Sequence, residues 1–350
     1  MMDPTKIIGK WYQANKREMP WRTTKDPYLI WLSEVILQQT KVQQGLPYYL
    51  KFSAAYPSVA DLAAAEEDQV MKLWQGLGYY SRARNMLATA RTVTRQWGRE
   101  FPSDYETLIQ LKGIGEYTAS AISSIAANEP RAVVDGNVYR LLSRYFGLST
   151  PIDTAAGKRE FASLAHDLLD RQRPGEHNQG MMEFGALQCR PVRPGCDTCP
   201  LASACVALRE GNVERLPVKS SRPRIRHRYF NYLVLRENGR IWLKRRGTGD
   251  IWQSLYDFPL VETSGPVDEA GLLSRDDFRE ILKGKLFSVK YVSKVTKHVL
   301  SHQVIHARFW ELRFPHAPVP EHNGFLRVEE QKMESYAFPK LISNYLENNL

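Results

Sequence analysis

All four cysteines of this 350-residue chain fall in one proline-rich window, "CRPVRPGCDTCPLASAC", from Cys189 to Cys205. Six residues separate Cys189 from Cys196, two separate Cys196 from Cys199, and five separate Cys199 from Cys205. A chain of this size has no need of disulfide staples, and in a reducing compartment clustered thiols serve as ligands. Structural zinc sites usually join two short C-x-x-C knuckles, whereas this window holds one. Four thiolates from a single loop suit a cubane iron–sulfur cluster, which takes one cysteine per iron and tolerates irregular spacing. On spacing alone the cluster leads, with zinc and unligated thiols left open.

Three further features could carry chemistry. In "LIQLKGIGEYTASAI" the glycines of Lys112-Gly113-Ile114-Gly115 stand between two helical runs, where they form a tight turn or let the backbone approach a phosphate at a helix N-terminus. In "VVDGNVYR", Asp135 precedes Gly136 and Asn137 at a helix start, as an N-cap or a catalytic carboxylate. Glu34 lies in "WLSEVILQQT" among Trp31, Val35, Ile36 and Leu37. There it either faces water or is desolvated, and desolvation would make it a proton donor near neutral pH.

The elements that must hold these residues are helical as far as about residue 188, with apolar positions recurring at spacings of three and four. The pattern predicts a helix after Pro27, one running from near Ser58 to Gly76 and Gly78, and one over "SRARNMLATARTVTRQWG". Further helices fit "SDYETLIQL", "YTASAISSIAA" and "GNVYRLLSRYF". "GNVERLPVKSSRPRIRHR" has the composition of a linker, which divides the chain into residues 1–215, a linker at 216–227, and residues 228–350. In the last part, "YFNYLVLRENGRIWLKRR" reads as a hairpin turning at Asn238 and Gly239. More strands follow in "KLFSVKYVSKVTKHVLSHQVIHARFWELRF", and "RDDFREILKG" and "FPKLISNYLENN" read as helices, so this part is α+β. His298, His302 and His306 recur every fourth residue, but β-rich surroundings place them on strands and a loop rather than on one metal-binding helix face.

The formal charge of +10 points to a polyanionic partner such as nucleic acid. No stretch has the length and apolarity of a membrane span or a signal peptide, so a cytoplasmic protein with no membrane partner is expected. A monomer is expected as well.

Taken in order, "SEVILQQT", "LKGIGEYTA", "VVDGNVYR" and the cysteine window resemble the helix-hairpin-helix, endonuclease III-like DNA glycosylases over residues 1 to about 215. "PWR" at Pro20 to Arg22, "GLGYYSRARN" and "MMEFGALQC" add to the match. The resemblance implies an all-α glycosylase domain with a [4Fe-4S] cluster on Cys189, Cys196, Cys199 and Cys205. Bifunctional members carry a Schiff-base lysine two residues after the last hairpin glycine; here that residue is Tyr117, which cannot form an imine. With Glu34, this favours the adenine-specific members, which remove adenine mispaired with 8-oxoguanine or guanine in duplex DNA. The alternatives are a bifunctional glycosylase and lyase for oxidised pyrimidines, or a non-catalytic iron–sulfur DNA-binding protein. By the same resemblance Glu34 protonates the flipped adenine, Asp135 stabilises the sugar cation, and Tyr117 and Asn137 support them. Trp21, Arg22 and Leu37 line the adenine pocket, Gln39 and Tyr79 enter the base stack, and Lys112, Gly113 and Gly115 hold a phosphate. Arg190 and Arg193 are expected to face phosphate from the cluster loop.

Residues 228–350 resemble the MutT/Nudix-like domain of the same family. A Nudix hydrolase needs an acidic box ending R-E-x-x-E-E to hold magnesium, whereas "FREILKG" offers Arg279 and Glu280 and then Lys283 and Gly284. The expectation is therefore a domain that binds without hydrolysing phosphates. The resemblance implies that it recognises 8-oxoguanine through a loop with a Phe-Ser-His-like triplet, here Leu300, Ser301 and His302: leucine departs from the pattern and takes away an aromatic wedge, while the polar contacts of Ser301 and His302 are kept.

Overall fold

The computed structural model describes residues 3–220, 225–314 and 324–349. The chain forms two compact units, Met1–Ala64 with Asn85–Arg222, and Ala65–Arg84 with Pro223–Leu350. The second unit thus takes in a short early segment that the sequence division left with residues 1–215. Tyr256 donates a 2.9 Å hydrogen bond to Asp68, Lys72 one of 3.1 Å to the carbonyl of Tyr336, and Arg84 one of 2.8 Å to the carbonyl of Gln253. These bonds tie the segment to C-terminal residues.

The first unit is built from helices: α1 (Thr5–Asn15), α2 (Pro27–Leu37), α3 (Val42–Ala55), α4 (Val59–Ala64), α6 (Ser81–Trp97, shared between the units), α7 (Tyr105–Leu108), α8 (Glu116–Ala126), α9 (Gly136–Phe146), α10 (Ala155–Asp167), α11 (Pro174–Leu187) and α12 (Val206–Arg209); α5 (Glu67–Trp74) lies in the second unit. The single helix expected from Ser58 to Gly76 is two, because Glu66 is extended and starts α5 afresh. The run "SDYETLIQL" is helical only at Tyr105–Leu108, after which the backbone turns toward Gly113.

Helix α2 is almost wholly apolar, so it is buried on most of its circumference: Ile30, Trp31, Leu32, Val35 and Ile36 all sit in the core. Asp26 caps it by accepting from the Tyr28 amide at 2.8 Å, and Pro27 occupies the first helical position, where its missing N–H costs nothing. Helix α8, buried from Thr118 to Ile125, packs on α2. Helix α11 packs against α1, α8 and α9. At Gly185 a Cβ would stand 2.6 Å from the carbonyl oxygen of Asn137, so only glycine lets α11 approach the first turn of α9 this closely. Residues Leu216, Val218 and Ser220, in the stretch read as linker, are bonded to this unit through Arg144, Ile152 and Asp153.

Among the described residues the second unit holds an eight-stranded sheet of β1 (Arg226–Glu237), β2 (Arg240–Arg245), β3 (Tyr256–Asp257), β4 (Leu260–Thr263), β5 (Ser288–Val292), β6 (Thr296–Val299), β7 (Gln303–Arg313) and β8 (Phe325–Glu329), in the order β3-β2-β1-β7-β5. Strand β4 pairs with β1, β6 with β7 and β8 with β2. The hairpin at Asn238 and Gly239 forms as expected, both residues having φ above zero and Glu237 facing Arg240. Strands β1 and β7 run parallel over their length. Helices α13 (Glu269–Leu273) and α14 (Asp276–Leu282) supply Leu272, Phe278 and Leu282 to one face. Helix α15 (Lys340–Asn349) stacks Tyr345 on Phe309 at 4.0 Å from the other. His298 lies in β6 and His306 in β7, with His302 in the turn between them, so the three share no helix.

Candidate active site

One cavity of 190 Å³ in the first unit gathers residues from separate parts of the chain: Glu34 and Leu37 of α2, Trp21 and Arg22, Tyr117 of α8, and Asp135 with Asn137 at the start of α9. Glu34 is the one carboxyl group on α2, and the helix turns it into this space. Burial, and next the charge of Asp135, push its pKa up to about 7, against the opposing pull of a hydrogen bond from Tyr117 and the charge of Arg22. Tyr117 itself is raised well above the usual phenol value by burial and by its carboxylate neighbours, so it remains a neutral donor.

Asp135 is both N-cap and site residue. Its Oδ1 accepts from the amides of Asn137 at 2.9 Å and Val138 at 2.8 Å, and the Asn137 side-chain amide donates to Oδ2 at 2.6 Å. Burial raises its pKa above the usual value, while these N–H donors and Arg140 act in the opposite sense. Glu34 has no comparable set of donors. The arrangement therefore favours the negative charge on Asp135 and the proton on Glu34.

Beyond the residues the sequence singled out, the cavity wall includes Arg17, Gln179, Met182 and Glu183. Glu183 is 2% exposed and accepts two bonds from Arg22, at 3.0 and 2.8 Å, and two from the Arg17 side chain, at 2.8 and 2.6 Å. Burial alone would raise it, but the two guanidinium groups hold it down at about 2. Arg140 was likewise unmarked in "VYRLL". It donates to Asn137 Oδ1 at 2.9 Å, to the Gly185 carbonyl at 2.6 Å and to the Cys189 carbonyl at 2.7 Å, joining the first turn of α9 to the cysteine loop.

The four cysteines line a second, smaller space together with Leu141, Tyr145, Phe184 and Leu201. Burial, with the neighbouring thiols adding to it, pushes Cys199 up to about 11. Arg144 brings a guanidinium nitrogen to 3.5 Å from the Cys189 sulfur and also holds the carbonyls of Arg190 and Leu216. A soft, largely apolar donor set of four thiols with one adjacent cation fits a thiolate-held group whose net charge is negative. Among the described residues no group of three Cys, His, Asp or Glu side chains is placed to hold a metal ion. Arg190 and Arg193 are exposed, Arg190 donating at 2.9 Å to the Arg193 carbonyl.

The residues expected to meet DNA are on the surface. Lys112, Gly113 and Gly115 are exposed at the turn before α8. Gly113 has φ +81° and its α-carbon faces Asn85 so closely that a Cβ would lie 2.9 Å from the Asn85 Cβ, which explains the glycine. Thr89 anchors the turn by a 2.6 Å bond to the Lys112 carbonyl. Gln39 and Tyr79 are exposed and both left-handed, with φ of 55° and 47°. In the second unit the phenol of Tyr79 is hydrogen-bonded to the hydroxyl of Ser301. Ser301 and His302 are exposed at the β6–β7 turn and Leu300 is half-buried.

Helices α7 and α8 around the glycine turn, with a two-carboxyl cavity behind them, define a base-excision repair fold. The family model "HhH-GPD superfamily base excision DNA repair protein" matches residues 32–165, and "NUDIX domain" matches residues 231–348. The chain is 33% identical over 260 residues to an adenine DNA glycosylase of Buchnera aphidicola subsp. Schizaphis graminum, covering 74% of this chain and 75% of that one. A second adenine DNA glycosylase, from Buchnera aphidicola subsp. Acyrthosiphon pisum, is 29% identical over 349 residues, covering 98% and 97%. A thermostable thymine-DNA glycosylase structure superposes with a TM-score of 0.55 at 28% identity, over 59% of this chain and 95% of that one. The chain belongs to the adenine DNA glycosylase family.

Proposed function

We propose that this protein is a monofunctional DNA glycosylase that releases adenine mispaired with 8-oxoguanine or guanine in duplex DNA. The observation that carries the reading is a carboxyl group, Glu34, whose pKa is about 7, in one cavity with Asp135. The adenine is extruded from the duplex into the cavity beside Trp21, Arg22 and Leu37. Glu34 gives its proton to a ring nitrogen such as N7, and the C1′–N9 bond breaks with its electron pair leaving on adenine. Asp135, ionised, stabilises or captures the resulting sugar cation until water adds at C1′. Tyr117 orients the Glu34 carboxyl, and Asn137 holds Asp135. Because Tyr117 occupies the place of a Schiff-base lysine, no lyase step follows.

Cys189, Cys196, Cys199 and Cys205 would hold a [4Fe-4S] cluster, which would staple the loop bearing Arg190 and Arg193 against DNA phosphates. Lys112, Gly113 and Gly115 hold another phosphate, and Gln39 and Tyr79 enter the stack vacated by the base. The Nudix-like domain binds rather than hydrolyses, and Ser301 and His302 meet the base opposite adenine. The protein works as a monomer in the cytoplasm.

Base release on duplexes carrying adenine opposite 8-oxoguanine, guanine or thymine tests this reading, with borohydride trapping on the same samples. Release confined to the first two, without a trapped lysine adduct, is expected. A robust adduct or release opposite thymine at an equal rate would overturn it.

A further inference from the structure

The second unit carries an open cavity of 770 Å³ whose wall includes Tyr79, Ser301 and His302, together with the loop Gly249 to Gln253. That loop belongs to no motif singled out in the sequence. It is built as a rigid wall. Asp250 accepts from both arginines of a buried cluster, Arg228 at 2.7 and 2.8 Å and Arg246 at 2.8 Å. Arg246 also holds the carbonyl of Ile251 at 3.0 Å. Two residues that are not glycine, Trp252 and Ser254, are left-handed, with φ of 61° and 68°, a conformation that persists only where the surroundings impose it. Arg84 fixes the Gln253 carbonyl at 2.8 Å. The Gln253 side chain, half-buried on this wall, makes no hydrogen bond among the described residues. A polar amide set on a fixed loop, without a partner of its own, is a ready contact for a ligand.

We infer that Gln253 is a specificity-determining residue that contacts the base opposite the excised adenine, and that Asp250 positions it through Arg228 and Arg246. The inference rests on the mispair reading above and assigns to Gln253 a part of it. The chemistry suits a purine edge. Guanine presents acceptors at N7 and O6, whereas 8-oxoguanine presents an N7–H donor beside the O8 acceptor. A primary amide has one donor group and one acceptor and by rotating serves either base. A carboxylate has acceptors only, so it meets the N7–H of 8-oxoguanine and is repelled by guanine.

The test measures binding of the full chain to duplexes holding a non-hydrolysable adenine analogue opposite 8-oxoguanine, guanine or thymine. Thermal unfolding is followed for each variant as a check of the fold. Gln253→Met is expected to weaken both mispair complexes about 10-fold and to leave the thymine duplex unchanged. Gln253→Glu is expected to weaken the guanine complex by a larger factor than the 8-oxoguanine complex. Asp250→Asn leaves Arg228 paired with Glu262 and Arg246 paired with Asp257, so the fold is retained. It should reproduce the Gln253→Met loss, and the two changes together should add nothing further. Unchanged mispair binding by Gln253→Met, or one common factor across all three duplexes in both Gln253 variants, would overturn the assignment. If the parent chain itself does not prefer the mispairs to the thymine duplex, the mispair reading falls and this inference with it, a result distinguishable because it appears before any residue is changed.

Discussion

Tyr117 and Glu34 share a hydrogen bond, and the phenol oxygen also lies 3.5 Å from the Met182 sulfur. The bond favours ionised Glu34, since the phenol donates to a carboxylate, and so opposes the burial that holds the carboxyl near 7. Excision in the parent chain should therefore fall as pH rises through about 7. Tyr117→Phe removes the opposing contribution and should move that alkaline limb to higher pH, read from single-turnover rates between pH 5 and 9. A limb that stays in place or moves down would separate Tyr117 from the proton donor.

Stability should register the same group with a defined sign. A carboxyl whose folded pKa is raised from 4.5 to about 7 binds its proton more tightly in the native state, so its contribution decreases as pH rises between those values. Glu34→Gln removes that penalty while keeping the shape. It should stabilise the fold at pH 7.5 by about 1–2 kcal/mol after allowance for solvent, with little effect at pH 4, while base release is abolished. Thermal unfolding at the two pH values checks the first point. A Gln variant that loses stability at pH 7.5 would show that Glu34 is a structural carboxylate.

The N-cap role of Asp135 and the catalytic role proposed for it can be separated by substitution. Asparagine keeps an oxygen to accept from the Asn137 and Val138 amides, whereas alanine removes the cap. Asp135→Asn should therefore keep the cap while setting its own amide against the Asn137 side-chain amide that donates to Oδ2, and Asp135→Ala should lose the cap at about 1 kcal/mol, yet both should lose base release by several orders of magnitude because both lose the charge. Comparable activity loss with the cap intact is the informative result; an Asn variant that remains active would reduce Asp135 to a helix cap.

The legible part of this protein was local. Glu34, Asp135 and the turn at Gly113 each sit in a short stretch whose residue types fix the backbone: an apolar helix, an N-cap, a left-handed glycine. The break at Glu66 was not legible, because "AAAEEDQV" is a good helix former throughout and holds no glycine or proline to mark the extended residue. Nor was the Arg17 and Arg22 clamp on Glu183, whose partners lie over 160 residues apart and carry no mutual signal in a single sequence. The loop at Gly249 to Gln253 carries no local signal for the same reason: Asp250 acquires its meaning from Arg228, on strand β1.

That clamp on Glu183 gives a further prediction. Glu183→Gln leaves two guanidinium groups facing a buried neutral amide, which should cost about 3 kcal/mol. Its pKa is depressed to about 2, so its contribution is complete above 4.5 and lost as pH falls toward 2. The stability difference between parent and variant should accordingly narrow below pH 4, as measured by denaturant unfolding. A difference independent of pH from 2 to 7 would assign the loss to packing instead of charge.

Arg140 offers the sharpest test of whether the cysteine loop serves the turn that bears Asp135 and Asn137. Its guanidinium reaches Cys189, Gly185 and Asn137 at once, with one nitrogen donating to both of the latter, and that fork depends on planarity. Lysine keeps the charge but has a single nitrogen, so Arg140→Lys should leave at least one of the three acceptors without its partner, at about 1–3 kcal/mol for each buried bond lost. The two outcomes differ in kind. If the proposed cluster loop and the active site are mechanically joined here, the variant should lose iron during purification and excise adenine more slowly, and the slowing should persist in the fraction that retains full iron, because Asn137 and through it Asp135 have lost a support. A variant that loses iron but excises normally per iron-bearing chain would confine Arg140 to the loop, and one that retains both would remove it from the site altogether.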